Sequence, residues 1–283
     1  SFSYPAHATV RPDLLENPMK ISLQDQVVLV TGGDSGIGRG ISLAFAEAGA
    51  QVVVNYNSSR DKAEEVVAQI TGAGGRAVAV QANVGHEDDV TRLFDETVKA
   101  FGGIDILVAN SGIQKDAPIA EMTLKDWQTV IDVNLTGQFL CTRTAIRRFR
   151  EQGNRGRMRA NGAILCMSSV HEIIPWAGHV NYAASKGGIG MLMRSLAQEV
   201  APDRIRVNAI APGAIRTPIN AEATEGAAAD KLLKLIPYGR IGDVEDVAAL
   251  ALFMASDLAD YMTGTTVYVD GGMTLYPGFE DNG

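Results

Sequence analysis

One short segment constrains the fold more than any other. The nearly all-apolar run Gln26 to Val30 leads straight into Thr31-Gly32-Gly33-Asp34-Ser35-Gly36-Ile37-Gly38. A helical pattern follows, with Ile41, Leu43, Ala44, Phe45 and Ala48 on its buried side, and ends at Gly49. In such a strand–turn–helix unit Gly32 permits the tight turn, Gly36 removes a Cβ where a ligand approaches the backbone, and Gly38 permits close helix–strand packing. The new helix aims free N–H groups and its positive dipole end at an anion, here a diphosphate. The position after the first strand and before a helix is what separates this loop from chance glycines. Gly32, Asp34, Ser35, Gly36, Ile37 and Gly38 are therefore candidate cofactor contacts.

The alternation then repeats. Strand runs are read at Gln51 to Asn55, Ala77 to Val80, Ile104 to Ala109, Ala163 to Met167, Ile205 to Ile210 and Thr266 to Val269. Helical spacing appears between them, from about Asp61 to Ile70 (Val66, Val67, Ile70) and from Glu87 (Val90, Leu93, Phe94, Val98). Continuous apolar strands alternating with amphipathic helices predict an α/β fold. The expectation is a Rossmann-type doubly wound parallel sheet of about seven strands with helices on both faces. Ligands bind such sheets at the C-terminal edge of the strands. We expect an N-terminal arm over 1–22 and a single domain over 23–283. The arginine-rich Arg143 to Arg159 and the alanine-rich Ala221 to Ala229 read as irregular. For the arginines, a solvated face is the plainer reading, with a site for a phosphorylated ligand or an acidic partner as the other.

Bulk properties narrow the function classes. A net charge of −8 argues against a nucleic-acid partner, because phosphate binding uses basic footprints. The longest apolar run, Val247 to Ala255, is too short to span a bilayer, and Ser1 to Lys20 contain no signal-peptide core. Cys141 and Cys166 fit neither a zinc site nor a redox pair, so no metal is expected and the compartment reads as reducing, hence cytoplasmic.

The end of the second strand should meet the adenosine ribose. It reads Asn55-Tyr56-Asn57-Ser58-Ser59-Arg60, with no acid to bind a 2′-hydroxyl and an arginine able to pair with a 2′-phosphate. This favours NADP. Asp34 adds negative charge nearby, and NAD use stays open. Asn83-Val84 ends the third strand and either flanks the adenine or caps the strand, while Asn110-Ser111-Gly112 ends the fourth and supports the cofactor.

Tyr182 and Lys186 stand four apart on a helical segment running to Val200, so they share one face. An ammonium beside a phenol stabilises phenolate, which predicts a Tyr182 pKa lowered toward working pH. Such a tyrosine takes a proton from an alcohol as a hydride leaves the same carbon, and returns it to a carbonyl in reverse. Ser168-Ser169 closes a strand at the same edge, where Ser169 would hydrogen-bond the reacting oxygen.

The glycine turn, Asn110-Ser111-Gly112, Ser169, Tyr182, Lys186 and Pro212-Gly213, in this order and spacing, resemble the short-chain dehydrogenase/reductase family from about Leu23 onward. The resemblance implies four catalytic positions: Asn134, Ser169, Tyr182 and Lys186. In the family the asparagine holds a water linking the lysine to solvent, and the lysine binds the nicotinamide ribose. Pro212, Gly213, Ile215 and Thr217 match the segment that holds the carboxamide and phosphates. A homotetramer is implied too, and the segment Ala221 to Leu235 matches a substrate lid. Ser111 and Asn83 depart from the family's frequent alanine and aspartate.

Within the family, Met167 to Glu172, Ile174-Pro175-Trp176, Pro212 to Ile215 with Thr217 to Asn220, and Asp270 to Pro277 are most similar to bacterial glucose 1-dehydrogenases. That likeness implies a small-molecule sugar or polyol substrate, with His171 lining its site. Gln114 stands where those enzymes tend to carry glutamate. A neutral amide donates and accepts hydrogen bonds but is no charged acceptor. A 3-oxoacyl or other carbonyl reductase is the alternative, and a non-catalytic nucleotide-sensing protein a third reading.

Overall fold

The apolar runs pair side by side in the computed structural model, which describes residues 21–224 and 226–275. All but two residues of the expected arm at 1–22, and the tail beyond Leu275, lie outside these. The strands are β1 (Val27–Val30), β2 (Gln51–Tyr56), β3 (Arg76–Gln81), β4 (Ile106–Ala109), β5 (Gly162–Met167), β6 (Ile205–Pro212) and β7 (Thr266–Val269). They form one seven-stranded sheet in the order β3-β2-β1-β4-β5-β6-β7. Each of its six ladders is parallel.

The helices are α1 (Gly36–Glu47), α2 (Arg60–Gly72), α3 (Glu87–Phe101), α4 (Leu124–Ile131), α5 (Gly137–Gln152), α6 (Val180–Val200), the short α7 (Ala221–Thr224) and α8 (Gly226–Leu233), and α9 (Val244–Ala255). They cover both faces of the sheet because the strands are apolar on both. Val28 and Val30 of β1 pack toward Ile41 and Phe45 of α1, Val66 of α2 and Val247 of α9. Leu29, between them, joins Leu93 and Phe94 of α3, Phe149 of α5 and Met193 of α6. Each fully buried side chain of this size is worth roughly 2 kcal/mol.

Two stretches differ from the sequence expectation. Arg143 to Gln152 is helical, the continuation of α5. Ala145, Ile146 and Phe149 bury one face at helical spacing, while Arg143, Arg148 and Arg150 turn outward to Glu87, Asp95 and Asp203. The alanine-rich stretch is helical over α7 and α8.

The order of strands sets the site. Successive connections run outward from β1 to β3, then return across the sheet to β4. The crossovers on the two sides of β1 leave in opposite directions, which opens a crevice above its C-terminal end.

Candidate active site

The turn after β1 is built around two backbone contacts. Gly32 has φ of +59° and Gly36 of +49°, conformations that L side chains rarely adopt. A Cβ on Gly38 would lie 2.1 Å from the Gly32 carbonyl oxygen, so only glycine lets α1 sit this close. Asn110 holds the loop from the next strand: its Nδ2 donates to the carbonyls of Thr31 (2.9 Å) and Gly32 (3.2 Å). Thr31 Oγ1 accepts the N–H of Asn110 and of Ser111. The N-terminus of α1 receives no side-chain cap from Ser35, leaving its first-turn N–H groups for a ligand. Burial raises the Asp34 pKa, against its own backbone N–H and the charge of Lys62.

These groups open onto a cleft of about 580 Å³, lined along one wall by Gly32, Asp34 to Gly38, Asn55, Asn57, Ser58, Asn83 and Val84. Asn55 is structural here: Oδ1 accepts from Gly32, and Nδ2 donates to the carbonyls of Tyr56, Val80 and Ala82. Asn83 caps its strand end, its Oδ1 accepting the Gly85 N–H at 3.0 Å. Tyr56 is a correction to the sequence reading. Side chains alternate along β2, so Tyr56 turns away from the cleft into the core with Val52 and Val54, and is not among the cleft residues. Arg60 stands outside the cleft lining, on the first turn of α2, with Glu64 at 3.7 Å and both side chains mostly exposed.

Pro212, Gly213, Ile215 and Thr217 form the opposite wall. Gly36 faces this wall, a Cβ there meeting Thr217 Cβ at 3.5 Å. The Thr217 hydroxyl is buried yet has no hydrogen-bond partner among the described residues. An orphaned hydroxyl opposite an uncapped helix N-terminus fits a bound dinucleotide phosphate, whose oxygens would satisfy both.

At the inner end of the cleft stand Gln114, Ser169, Tyr182 and Lys186, brought from the β4 loop, the end of β5 and one face of α6. Ser169 Oγ accepts the His171 N–H at 3.2 Å, which leaves its proton free. Ser169 and Gln114 face the Tyr182 phenol and favour its ionised form. The Tyr182 pKa is nevertheless raised, because burial outweighs both. This overturns the expectation that Lys186 lowers it. The Lys186 ammonium lies 5.4 Å from the Tyr182 ring centroid and donates instead to the Met167 carbonyl at 2.8 Å. Burial pushes the lysine itself down to about 8.

Asn134 sits on a π-helical turn (Asp132–Thr136) between α4 and α5 and is fully buried. Such turns recur at functional sites. Its carboxamide clamps the backbone of Ile113, Oδ1 accepting at 2.8 Å and Nδ2 donating at 3.0 Å, and also donates to Ser185 Oγ. Its Oδ1 and the Lys186 Nζ flank Gly112, each within 3.7 Å of where a Cβ would be. His171 lies beside Tyr182, ring centroids 6.2 Å apart, and its Nδ1 meets the Ile174 carbonyl at 3.0 Å. Burial lowers its pKa, so the ring is neutral and Nδ1 carries the proton donated to that carbonyl. Its outer face stacks on Trp176 at 4.3 Å, and it is not among the residues lining the cleft itself.

Two neighbours of the site escaped the sequence reading. Gln138 donates to the same Met167 carbonyl as Lys186, at 3.0 Å. Glu172 accepts from Ser168 at 2.7 Å beneath the cleft floor. Among the described residues, no cluster of three or more His, Cys, Asp or Glu side chains is placed to hold a metal.

Known proteins share this arrangement of elements. The family model that matches residues 32–274 bears the description Enoyl-(Acyl carrier protein) reductase. A 3beta-hydroxysteroid dehydrogenase 1 from Eggerthella lenta is 50% identical over 261 residues, covering 91% of this chain and 97% of that protein. Glucose 1-dehydrogenase 2 of Bacillus subtilis is 43% identical over 256 residues, 90% of this chain and 97% of the relative. The crystal structure of a short chain dehydrogenase from Burkholderia cenocepacia in complex with NADP superposes with a TM-score of 0.82 at 34% identity, covering 89% of this chain and 98% of that one.

Proposed function

The chain belongs to the short-chain dehydrogenase/reductase family and is an NAD(P)-dependent oxidoreductase; from that premise we propose that it oxidises the CH–OH group of a sugar or polyol with NADP, NAD being the second cofactor. The observation that carries this reading is the placement of Tyr182 with Ser169, Gln114 and Lys186 at the inner end of the cleft that begins at the glycine turn. Bound in that cleft, the nicotinamide would accept the hydride in oxidation and supply it in reduction.

The chain's own residues handle the proton and the geometry. Tyr182 Oη takes the proton of the substrate hydroxyl, and Ser169 Oγ donates to the same oxygen as charge develops on it. Lys186, in the same cleft, would reach the nicotinamide ribose. Asn134 fixes the Ile113 backbone, and with it the loop carrying Gln114. Thr217, Ile215 and the N-terminus of α1 would hold the phosphates and carboxamide.

The pH dependence follows with its sign. Burial raises the Tyr182 pKa, so the phenol is protonated at neutral pH. Oxidation needs the phenolate and gains as pH rises from the acid side, until loss of the Lys186 proton at about 8 ends the gain. Reduction needs the phenol and is favoured at neutral pH.

The absence of an acid after β2, with Ser58 and Ser59 on the cleft wall, supports NADP. A neutral Gln114 on the cleft wall supports a hydroxylated, uncharged substrate. A ring alcohol of the hydroxysteroid kind is the second reading, favoured by the 50% identical Eggerthella protein and by Ile113, Val133 and Met167 on the cleft wall. The same reading includes a cytoplasmic homotetramer, supported by two free buried cysteines and by exposed Phe139, Val180 and Met191 on α5 and α6. Sedimentation of the purified chain tests the assembly.

The activity test is a spectrophotometric screen of NADP⁺ and NAD⁺ against aldoses, polyols and 3-hydroxysteroids, run beside NADPH against 3-oxoacyl esters. The reading expects NADP⁺ reduction with a sugar or polyol. Turnover confined to NADPH and carbonyls would overturn it in favour of a carbonyl reductase. Tight cofactor binding with no turnover in any arm would leave a nucleotide-sensing protein.

A further inference from the structure

Glu172 is a carboxylate that the mechanism above leaves unused, and its surroundings are built for it. Its side chain is 3% exposed. Oε2 accepts from Ser168 Oγ at 2.7 Å, and Oε1 accepts from Thr266 Oγ1 on β7 at 3.2 Å and from Arg194 on α6 at 3.4 Å. A Cβ at Gly190 would stand 2.3 Å from Oε1, so the helix bearing Tyr182 and Lys186 is cut back to glycine where the carboxylate presses on it. Ser168 links the two: the hydroxyl bound to Glu172 lies 3.4 Å from the Lys186 carbonyl. A buried charge placed this way is costly unless something gains from it.

The groups facing Lys186 are Tyr182 on its own helix, Cys166 on β5 and Glu172. Those facing Glu172 are Arg194, Lys186, Cys166 and Tyr268 of β7. Burial opposes the ammonium of Lys186, while Cys166 and Glu172 favour it. The Cys166 thiol is itself pushed up to about 12 by burial, so it is neutral where Lys186 titrates. That leaves Glu172 as the anion acting on the lysine.

We propose that Glu172 is a positioning residue of the active site: held between Ser168 and Thr266 against the glycine gap in α6, its buried charge keeps Lys186 an ammonium over the working pH range. The proposal rests on the assignment of Lys186 to the proton-transfer site made above. Lysine deprotonation ends activity on the alkaline side. Removing the Glu172 charge makes the ammonium easier to lose and moves that limb to lower pH. Removing the counter-charge of Arg194 leaves Glu172 less compensated and moves the limb to higher pH.

The test is the pH profile of turnover, with cofactor and substrate saturating, for the wild type, Glu172→Gln, Thr266→Val and Arg194→Gln. For Glu172→Gln we expect the alkaline limb about half a unit to one unit lower, giving roughly 3- to 10-fold less turnover near pH 9 and values within about twofold of wild type near pH 6.5. Thr266→Val removes a hydrogen bond and no charge, and its limb stays in place. A Glu172→Gln profile that superimposes on wild type, or falls by one factor at every pH, overturns the proposal. So does a Thr266→Val limb that moves as far. Should Glu172→Gln fail to fold, Arg194→Gln decides: a limb moved upward supports the proposal and an unmoved one overturns it. An inert Tyr182→Phe beside an unmoved Glu172→Gln profile sinks this proposal alone, whereas an active Tyr182→Phe sinks the functional reading beneath it.

Discussion

Two polar clusters, Asp105 with its arginines at the N-terminal rim of the sheet and the cleft at the C-terminal rim, are both partly buried, yet they treat their polar groups in opposite ways. At the N-terminal rim Asp105 is 4% exposed and closed off on every side. Its Oδ2 accepts the Val27 N–H at 2.7 Å and faces Arg155 at 3.0 Å and Arg157 at 3.7 Å. The Arg155 guanidinium lies on Gly103, where a Cβ would fall 2.7 Å from its Cζ. Burial still raises the Asp105 pKa, opposed by the Val27 N–H and the two arginines. At the C-terminal rim the polar groups are left with capacity to spare: the Thr217 hydroxyl has no partner among the described residues, the Ser35 side chain does not cap α1, and Ser169 keeps its proton. The Asp105 cluster is saturated and fastens the loop after α5 to the sheet. The other is incomplete, and an incomplete buried site is what a ligand completes. The arginine-rich stretch belongs to this contrast. Arg143, Arg148, Arg150 and Arg155 are paired with acids of this same chain, which supports the plainer reading of a solvated face.

The contrast is broken most forcefully at its saturated end. Asp105→Ala strands Arg155 and the Val27 N–H without a partner, and should cost about 3–5 kcal/mol of stability. Calorimetry would show this as a Tm lower by roughly 6–15 °C, with kcat/KM of the folded enzyme within about twofold. A catalytic loss exceeding the stability loss would mean that the two clusters do not divide the labour. Ser169→Ala works at the open end: turnover falls on the order of 100-fold while Tm stays within a degree or two. Comparing initial rates with a melting curve checks both halves of that statement. The smallest effect belongs to Arg60→Ala. This exposed side chain should weaken NADP about 3- to 5-fold and leave NAD unchanged, because a solvated charge pair contributes at most about 1 kcal/mol. Equal weakening of both cofactors, measured by fluorescence titration, would assign Arg60 to the fold of α2 and not to the 2′-phosphate.

Most of the fold is legible in local patterns. The unbroken apolar strands and the three-and-four spacing of Val90, Leu93 and Phe94 are signals carried within a few residues, and the sheet follows from their alternation. Tyr182 and Lys186 are visible as neighbours for the same reason, since four residues are about one helical turn. Local pattern reaches no further. Glu172 meets Thr266 across 94 residues and Gln138 meets Met167 across 29, so nothing near either residue in the chain announces its partner. Tyr56 differs from its neighbours in the Asn55–Ser58 run because β2 alternates: Asn55 and Asn57 line the cleft while Tyr56 joins Val52 and Val54 in the core. The Tyr182 acidity went astray because the i,i+4 rule gives proximity and not desolvation, and here burial wins. The arginines hid their role because their acids come from α3, from the start of β4 and from the loop before β6.

The central claim is that the open rim holds a proton donor and acceptor at Tyr182 and that the saturated Asp105 cluster takes no part. The most direct measurement is a single-turnover assay of Tyr182→Phe after its NADP(H) affinity has been determined by fluorescence titration. The account predicts an unchanged dissociation constant with hydride transfer slowed at least about 1,000-fold. Transfer within about tenfold of wild type at full cofactor occupancy would contradict it.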